Sequence, residues 1–246
     1  KAKALFTTSK NHRSLANVHL FTGQVNDYLA KYNIALEQYK TALELIESHP
    51  DEAIKFKILN SSGVTHFNKG SYETALEFYV RALKISERFE DKVYYASALN
   101  NIGVVYMSIL QYDDALEYFL KYLQTMRAMG QTRFVAVAML NAGEAFMKKE
   151  SFPNAIQYLD SALSTYQLVN EKRGMSLSHS NLGDCYMFLS DYANAEIHYN
   201  ACIAIAESIK SEEALLRGLI GGTDLYLKTG EKEKAARYLE RANEIA

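Results

Sequence analysis

The chain has 246 residues, of which 48% are hydrophobic and two are proline, and its formal net charge is −2. This composition is typical of an all-helical protein that does not enter a membrane, because no run of about eighteen apolar residues is present. The low net charge removes the electrostatic case for nucleic acid or an anionic membrane surface as a partner.

A forty-residue repeat organises the chain. An alanine follows each repeated glycine by twelve residues, and an aromatic residue usually lies between them, nine after the glycine. The glycines are Gly23, Gly63, Gly103, Gly143 and Gly183, and the alanines are Ala35, Ala75, Ala115, Ala155, Ala195 and Ala235. A fixed period of this size indicates one helical or strand unit that is copied and stacked on itself.

In chain order, the first predicted element is residues 1–10. Stepping forty residues back from Ala42 leads to Ala2, so this segment is interpreted as the last helix of a preceding repeat or as an N-terminal cap. The repeats that follow are 11–50, 51–90, 91–130, 131–170, 171–210 and 211–246, in one continuous domain. The last repeat is degenerate, because Thr223 occupies its glycine position. Since the chain lacks an initiator methionine, we expect it to be a segment of a longer protein.

Each repeat is predicted to form two antiparallel helices. In the third repeat an apolar stripe of helical period marks the first helix; it consists of Leu99, Ile102, Tyr106 and Leu110. The second helix of several repeats follows a residue suited to N-capping, as at Ser71, Ser151 and Asp191. Cys185 and Cys202 fall in packing positions and are expected to be buried thiols in a reducing compartment.

The motif of the third repeat is Leu99-x2-Ile102-Gly103-x2-Tyr106, followed by Tyr112-x2-Ala115-x3-Phe119. It resembles the tetratricopeptide repeat, although the period exceeds the usual length of about 34 residues. Units of this longer kind are similar to those of kinesin light chains, spindle-orientation scaffold proteins and bacterial peptide sensors and sensor kinases. The resemblance implies an all-α, right-handed α-solenoid of antiparallel helix pairs, whose first helices line a concave face that binds extended peptides.

A row of asparagines lies two residues before the glycine in three consecutive repeats, at Asn101, Asn141 and Asn181. The resemblance implies that they contact a peptide backbone, which needs both donors and acceptors. Repeats spaced by about 10 Å match roughly three residues of an extended chain. Asn60 and Asn100, one position earlier, are weaker candidates. Alternatively, these amides form interhelical hydrogen bonds or face water.

Two further columns complete the predicted peptide-binding face. Met107, Met147 and Met187 lie four residues after the glycine, where they form either an adaptable apolar floor for a ligand or part of the core. Glu144 and Asp184, one residue after the glycine, make the later half of the face acidic. We therefore expect a ligand with apolar and basic character.

Catalysis finds little support in the sequence. The six histidines do not form a metal-ligand motif, and Gly218-x-x-Gly221-Gly222 lacks the Lys-Ser/Thr pair of a phosphate loop. The column that contains the asparagine row has no basic residue. A receptor for a partner's terminal carboxylate would need basic residues there, so the sequence argues against that function. We predict no catalytic residue, no metal site and no cofactor.

The predicted function is that of a non-enzymatic, cytoplasmic scaffold that binds a protein or peptide, without binding nucleic acid or inserting into a membrane. An alternative is a sensory or regulatory input domain of a larger bacterial signalling protein, such as a sensor kinase or nucleotide cyclase. A third hypothesis is a structural scaffold that uses its convex side or its ends. Self-association through the ends of the array is also expected to be possible.

Overall fold

The computed structural model describes residues 2–47, 50–88 and 90–245, with side chains from residue 12 onward. These residues form twelve α-helices and no strand, which confirms the all-α class. The helices are α1 (Ala2–Tyr28), α2 (Tyr32–Glu47), α3 (Glu52–Asn68), α4 (Tyr72–Arg88), α5 (Lys92–Ser108), α6 (Tyr112–Ala128), α7 (Thr132–Lys148), α8 (Phe152–Leu168), α9 (Lys172–Phe188), α10 (Tyr192–Ile209), α11 (Glu212–Thr229) and α12 (Lys232–Asn243). Odd-numbered helices are called first helices below, and even-numbered ones second helices. Residues 2–10 are the beginning of α1.

The chain divides into two compact units, one up to Tyr118 and one from Phe119. In the first unit α1 packs on α2 and α3 on α4, and the first helices α1, α3 and α5 contact one another in sequence. In the second unit the pairs are α7–α8, α9–α10 and α11–α12, and α9 contacts both α7 and α11. Loops of two or three residues join the paired helices, so each pair is an antiparallel hairpin. Each unit is therefore a stack of helix hairpins.

A residue in the left-handed conformation ends the helices at regular intervals of twenty or forty residues. These residues are Ala30, Gly70, Glu90, Leu110, Gly130, Glu150, Asn170, Ser190, Lys210 and Gly230. The residue after each one returns its N–H to a carbonyl in the last helical turn; Gln111, for example, donates to the oxygen of Tyr106 at 2.9 Å. This pattern closes the open carbonyls of a helix end, and glycine is its least strained residue. Most of these positions nevertheless hold another residue.

Leu110 corrects one prediction from the sequence. It was expected to continue the apolar stripe of α5, but the helix ends at Ser108 and Leu110 has a φ of 63° in the following loop. Its side chain is 70% exposed. The apolar spacing seen in the sequence therefore continues one step past the end of α5.

Replacing Leu110 with glycine is expected to raise the free energy of unfolding by about 1 kcal/mol, because the left-handed conformation penalises a side chain and little apolar burial is lost. Urea unfolding followed by circular dichroism measures the change. The reverse exchange, Gly130→Leu, is the matched control: Gly130 has a φ of 64°, and a Cβ there would meet nothing within 4 Å. It should lose a similar amount. A loss in Leu110→Gly would contradict the strain argument.

The helix starts are capped mainly on the first helices. Asp51, Asp91 and Glu171 accept hydrogen bonds from backbone N–H groups in the first turns of α3, α5 and α9. Asp191 caps α10 as predicted, by accepting from the N–H of Asn194. Ser151 does not cap α8 with its side chain: its hydroxyl accepts instead from the amide of Asn154 at 3.0 Å. Ser151 therefore stabilises the start of α8 through the side chain of Asn154 and not through a backbone N–H.

The repeated glycines give space to a large residue of the paired second helix. A Cβ on Gly63 would lie 2.6 Å from Cε1 of Tyr79, and one on Gly183 would lie 2.6 Å from Cε1 of Tyr199. The ring of Tyr199 also lies against Gly221 on its other side, where an added Cβ would collide with it. This ring is thus enclosed between α9 and α11. At these crossings the glycine leaves the room that the ring of the paired second helix occupies.

In the last repeat the packing shifts by one residue. A Cβ on Gly222 would lie 2.7 Å from Cε1 of Tyr238, so these two residues make the contact that the forty-residue period assigns to Thr223 and Leu239. Leu239 is largely exposed instead. The repeat is therefore less degenerate than the column of glycines suggests, because the glycine is present one position earlier.

The core around α9 is polar. Four polar residues of this helix are buried: Ser176, Ser178, Ser180 and Asn181. The hydroxyl of Ser176 donates to the backbone oxygen of Cys202 at 3.1 Å. Both cysteines are buried free thiols, as expected, and burial raises the pKa of Cys185 to about 12 and also raises that of Cys202. Neither thiol is a reactive thiolate at neutral pH.

Candidate functional site

The candidate binding face of each first helix is a narrow stripe. It holds the residues six and two before the repeated glycine and one and five after it, and these share one side of the helix. In the second unit this stripe, here called the first-helix face, consists of Val137, Asn141, Glu144, Lys148, Leu177, Asn181, Asp184, Phe188, Arg217, Gly221, Asp224 and Lys228. The columns three before and four after the glycine include the weaker asparagine candidates and the methionines. They are buried at Leu140, Ser180 and Met187.

Asn181 is bonded to the neighbouring first helix. Its amide nitrogen donates to Oε1 of Glu144 at 2.8 Å, which joins α9 to α7, and its side chain is only 4% exposed. Within the described part of the chain, its Oδ1 atom has no hydrogen-bond partner. The amide is thus held in place on one side and keeps an acceptor on the other.

The first unit contains a similar pair. The amide of Asn101 on α5 donates to Oδ1 of Asn60 on α3 at 2.8 Å. Asn100 and Asn141 are half-buried. For Asn101 and Asn181, the interhelical hydrogen bond that the sequence left as an alternative is therefore present. Such a bond also fixes the orientation of an amide.

Two partly buried carboxylates lie beside Asn181 in the second unit. Burial raises the pKa of Glu144, against the lowering effects of the Asn181 hydrogen bond and of Arg217 and Lys148. Burial likewise raises the pKa of Asp184, which accepts a hydrogen bond from the Tyr199 hydroxyl at 2.7 Å. Both charged forms are thus disfavoured by their surroundings.

Tyr199 was not anticipated as part of this site. Its hydroxyl positions Asp184, while its ring fills the space that Gly183 and Gly221 leave open. The sequence feature that could have indicated this role is Gly221. It lies in the column of the asparagine row, where the preceding three repeats have asparagine.

The apolar groups on and beside this face differ from one another in burial. Met187 is buried in a cluster with Tyr199 and Leu225, so the core interpretation holds for this methionine. Met107 and Met147 are half-buried. Phe188 is 68% exposed and stacks on Phe152 with ring centroids 4.9 Å apart. It is the aromatic group of this face that is most open to a ligand.

A histidine pair lies outside this face. Nδ1 of His179 and Nδ1 of His198 are 3.0 Å apart, and the His198 ring stacks on Tyr186. Burial lowers the pKa of His179 to about 4 and also lowers that of His198, although the charge of Asp160 opposes the second shift. At neutral pH both rings are therefore uncharged, and one donates to the other.

In the described part of the chain, no three histidine, cysteine or acidic side chains are grouped as metal ligands. Among these same residues, no helix has the length and apolar character needed to cross a bilayer.

Residues 55–128 and 134–208 match the tetratricopeptide repeat family, and residues 222–246 match a second model of the same repeat. No curated protein matches the chain. Several solved structures share the fold. BtubC from P. vanneervenii is 19% identical, with a TM-score of 0.72 and 88% of each chain covered.

Two of the similar structures are described as sensors. A signal transduction ATPase with numerous domains and a tetratricopeptide repeat sensor, from Pyrococcus horikoshii, is 16% identical, with a TM-score of 0.82 over 94% of this chain and 36% of that one. The apo quorum sensor NprR from B. thuringiensis is 13% identical, with a TM-score of 0.74 over 94% of this chain and 64% of that one. The present chain thus spans about a third of the ATPase.

Proposed function

The chain belongs to the tetratricopeptide repeat family, and we propose that it is a non-enzymatic scaffold that binds an extended peptide or partner segment on its first helices. The proposed contacts are made by Asn141 and Asn181 in the second unit and by Asn60, Asn100 and Asn101 in the first, with Met107 and Met147 as apolar support. Glu144 and Asp184 select the ligand's charge. A cytoplasmic location and self-association through an end of the array are part of the same proposal.

The observation that carries this proposal is the state of Asn181. Its N–H is held by Glu144, so the side chain is fixed before a ligand arrives, and its Oδ1 remains available as an acceptor. A side chain that is already ordered loses little conformational entropy on binding. An extended peptide has a backbone N–H to offer such an acceptor.

The electrostatics favour a basic ligand. Burial of Glu144 and Asp184 disfavours their negative charges, and neither makes an ion pair of 4 Å or less within the described residues. A lysine, an arginine or a free amino terminus of the ligand would stabilise both charges. The exposed ring of Phe188, one helical turn after Asp184, provides apolar and cation–π contact for the same group.

Selection from a random peptide library displayed on phage tests this function. We expect enrichment of sequences with basic and apolar residues, and we expect Asn141→Ala/Asn181→Ala to weaken the selected peptides at least about tenfold in isothermal titration calorimetry, since two backbone contacts are lost. Gln157→Ala/Gln167→Ala, which removes two exposed amides of α8, is the matched control and should bind normally. Equal affinity of both folded variants would place binding away from the first helices.

A sensory input domain is the second candidate, because two structures of the same fold are described as sensors. This function requires that the ligand change the shape or association of the protein. Small-angle X-ray scattering with and without a selected peptide separates the two candidates. A change in the radius of gyration supports a sensor, whereas an unchanged profile at saturation supports a scaffold.

A further inference from the structure

Helix α1 exposes a continuous apolar stripe. Six large apolar side chains at or just after this helix are largely open to solvent: Leu15, Val18, Phe21, Val25, Tyr28 and Leu29. Most are separated by three or four residues, so they lie along one side of the helix. Contiguous exposed apolar surface of this kind usually marks an interaction site.

Two positions of this stripe, those of Val18 and Val25, are buried in every later first helix. Val18 and Val25 are 57% and 58% exposed. Their equivalents forty residues later, Ile58 and Thr65, are 0% exposed, and Ile58 belongs to a cluster with Ala42 and Ile46 of the preceding second helix. In α5 the equivalent Val105 packs with Ala75 and Tyr79 of α4. The exposed face of α1 therefore has the character of a surface that another helix covers.

The other end of the array does not offer a complementary surface. Half of the residues of helix α12 are charged, and its buried residues are Ala235 and Ala242. Its outward side carries Glu233, Arg237 and Glu240. Packing this helix on the apolar stripe of another copy would remove charged groups from water without partners, which is unfavourable. The α12 end of a second copy is therefore a poor occupant of the stripe.

A second copy of α1 itself is a suitable occupant. Residues 14–26 include no Asp, Glu, Lys or Arg, so two stripes meet without repulsion. The spacing is also symmetric about the Phe21–Thr22 bond. When two copies run antiparallel, Val18 lies opposite Val25 of the other copy, and Leu15 lies opposite its Tyr28. The same patch thus complements itself, as a two-fold interface requires.

We propose that two copies of this chain associate through antiparallel packing of their α1 helices, with a two-fold axis next to Phe21 and Thr22. This inference rests on the self-association included in the proposed function and names its surface, and it does not involve the proposed peptide site in the second unit. A single pair of helices gives an area below that of a standard stable interface, so the dimer is expected to be in reversible exchange with the monomer at micromolar concentrations.

Analytical ultracentrifugation of the full chain over a concentration series tests the association. We expect a monomer–dimer equilibrium, and we expect Val18→Glu/Val25→Glu to weaken it at least about a hundredfold, because four charges would be buried per dimer. Both side chains are exposed in the monomer, so folding should be unaffected. The matched control is Ile197→Glu/Ile220→Glu, which changes two equally exposed residues of α10 and α11 and should dimerise normally. A wild-type chain that stays monomeric at the highest concentration, or a dimer that the α1 variant leaves intact, overturns the proposal.

Disulfide trapping tests the orientation, and the native thiols do not interfere because both are buried. Thr22→Cys lies next to the two-fold axis and should form a covalent dimer on mild oxidation. Leu15→Cys should not, because the two cysteines would be about 20 Å apart along the helices, but it should cross-link to Tyr28→Cys when the two variants are mixed. Efficient dimerisation of Leu15→Cys alone would show a parallel arrangement and overturn the proposed interface.

Discussion

Replacing Gly183 with alanine is expected to lower the free energy of unfolding by about 1 to 3 kcal/mol, even though alanine favours helix formation by about 1 kcal/mol over glycine. The new methyl group would meet the ring of Tyr199 at 2.6 Å. The ring cannot move away, because Gly221 lies against its other side and its hydroxyl is bonded to Asp184 at 2.7 Å. Urea unfolding monitored by circular dichroism measures the loss.

A double-mutant cycle separates this collision from other effects. In the Tyr199→Ala background the obstructing ring is gone, so Gly183→Ala should become stabilising by up to about 1 kcal/mol through helix propensity alone. Trimethylamine N-oxide keeps the weakest variant folded during the measurement. If Gly183→Ala costs the same with and without the ring, the glycine is required for a reason other than space for Tyr199.

Replacing Asn181 with alanine is expected to cost about 1 to 3 kcal/mol of stability at neutral pH, because it removes the donor that serves the partly buried carboxylate of Glu144. The pKa of Glu144 is raised by burial, and loss of the hydrogen bond would raise it further. The cost is full when the carboxylate is ionised. It should shrink as the pH falls through the pKa of Glu144, since the neutral acid tolerates burial better.

The pair in the first unit provides the control for this pH dependence. Asn101 donates to the neutral amide of Asn60, so Asn101→Ala should cost about 0.5 to 1.5 kcal/mol and should show the same cost at every pH. Chemical unfolding of both variants between pH values of about 8 and about 4 makes the comparison. Parallel curves for Asn101→Ala and Asn181→Ala would mean that the charge of Glu144 does not contribute.

The repeat could be predicted from the sequence because the same residue types occur at the same packing positions in each copy. Glycine at one crossing and a large residue on the partner helix leave a strict period in the sequence, and the helix pairs follow from it. Leu110 could not be placed in the same way, since a leucine fits an apolar stripe equally well inside a helix and one turn past its end. The deciding factor is the backbone conformation, with a φ of 63°, and it leaves no mark on the residue type.

The candidate site was only partly predictable for a related reason. The asparagine row was visible, but a single column does not reveal what an amide bonds to on the next helix. Asn181 meets Glu144, whereas Asn101 meets Asn60, and this difference depends on which side chain is nearest across the helix contact. Val18 and Val25 of α1 likewise have the residue types of a buried surface. Only the structure shows that they are exposed, whereas Ile58 and Thr65 at the equivalent positions of α3 are buried.

The ring of Tyr199 has a further consequence for what the second unit can bind. Enclosed between α9 and α11 and tied to Asp184, it acts as a rigid spacer that sets the local gap between these two helices. A ligand that contacts Asn181 and Arg217 together must match the fixed distance between α9 and α11. Selectivity at the proposed site would then depend on the shape of the ligand. A segment that stays extended would pass over Gly221, whereas one that bulges would not fit.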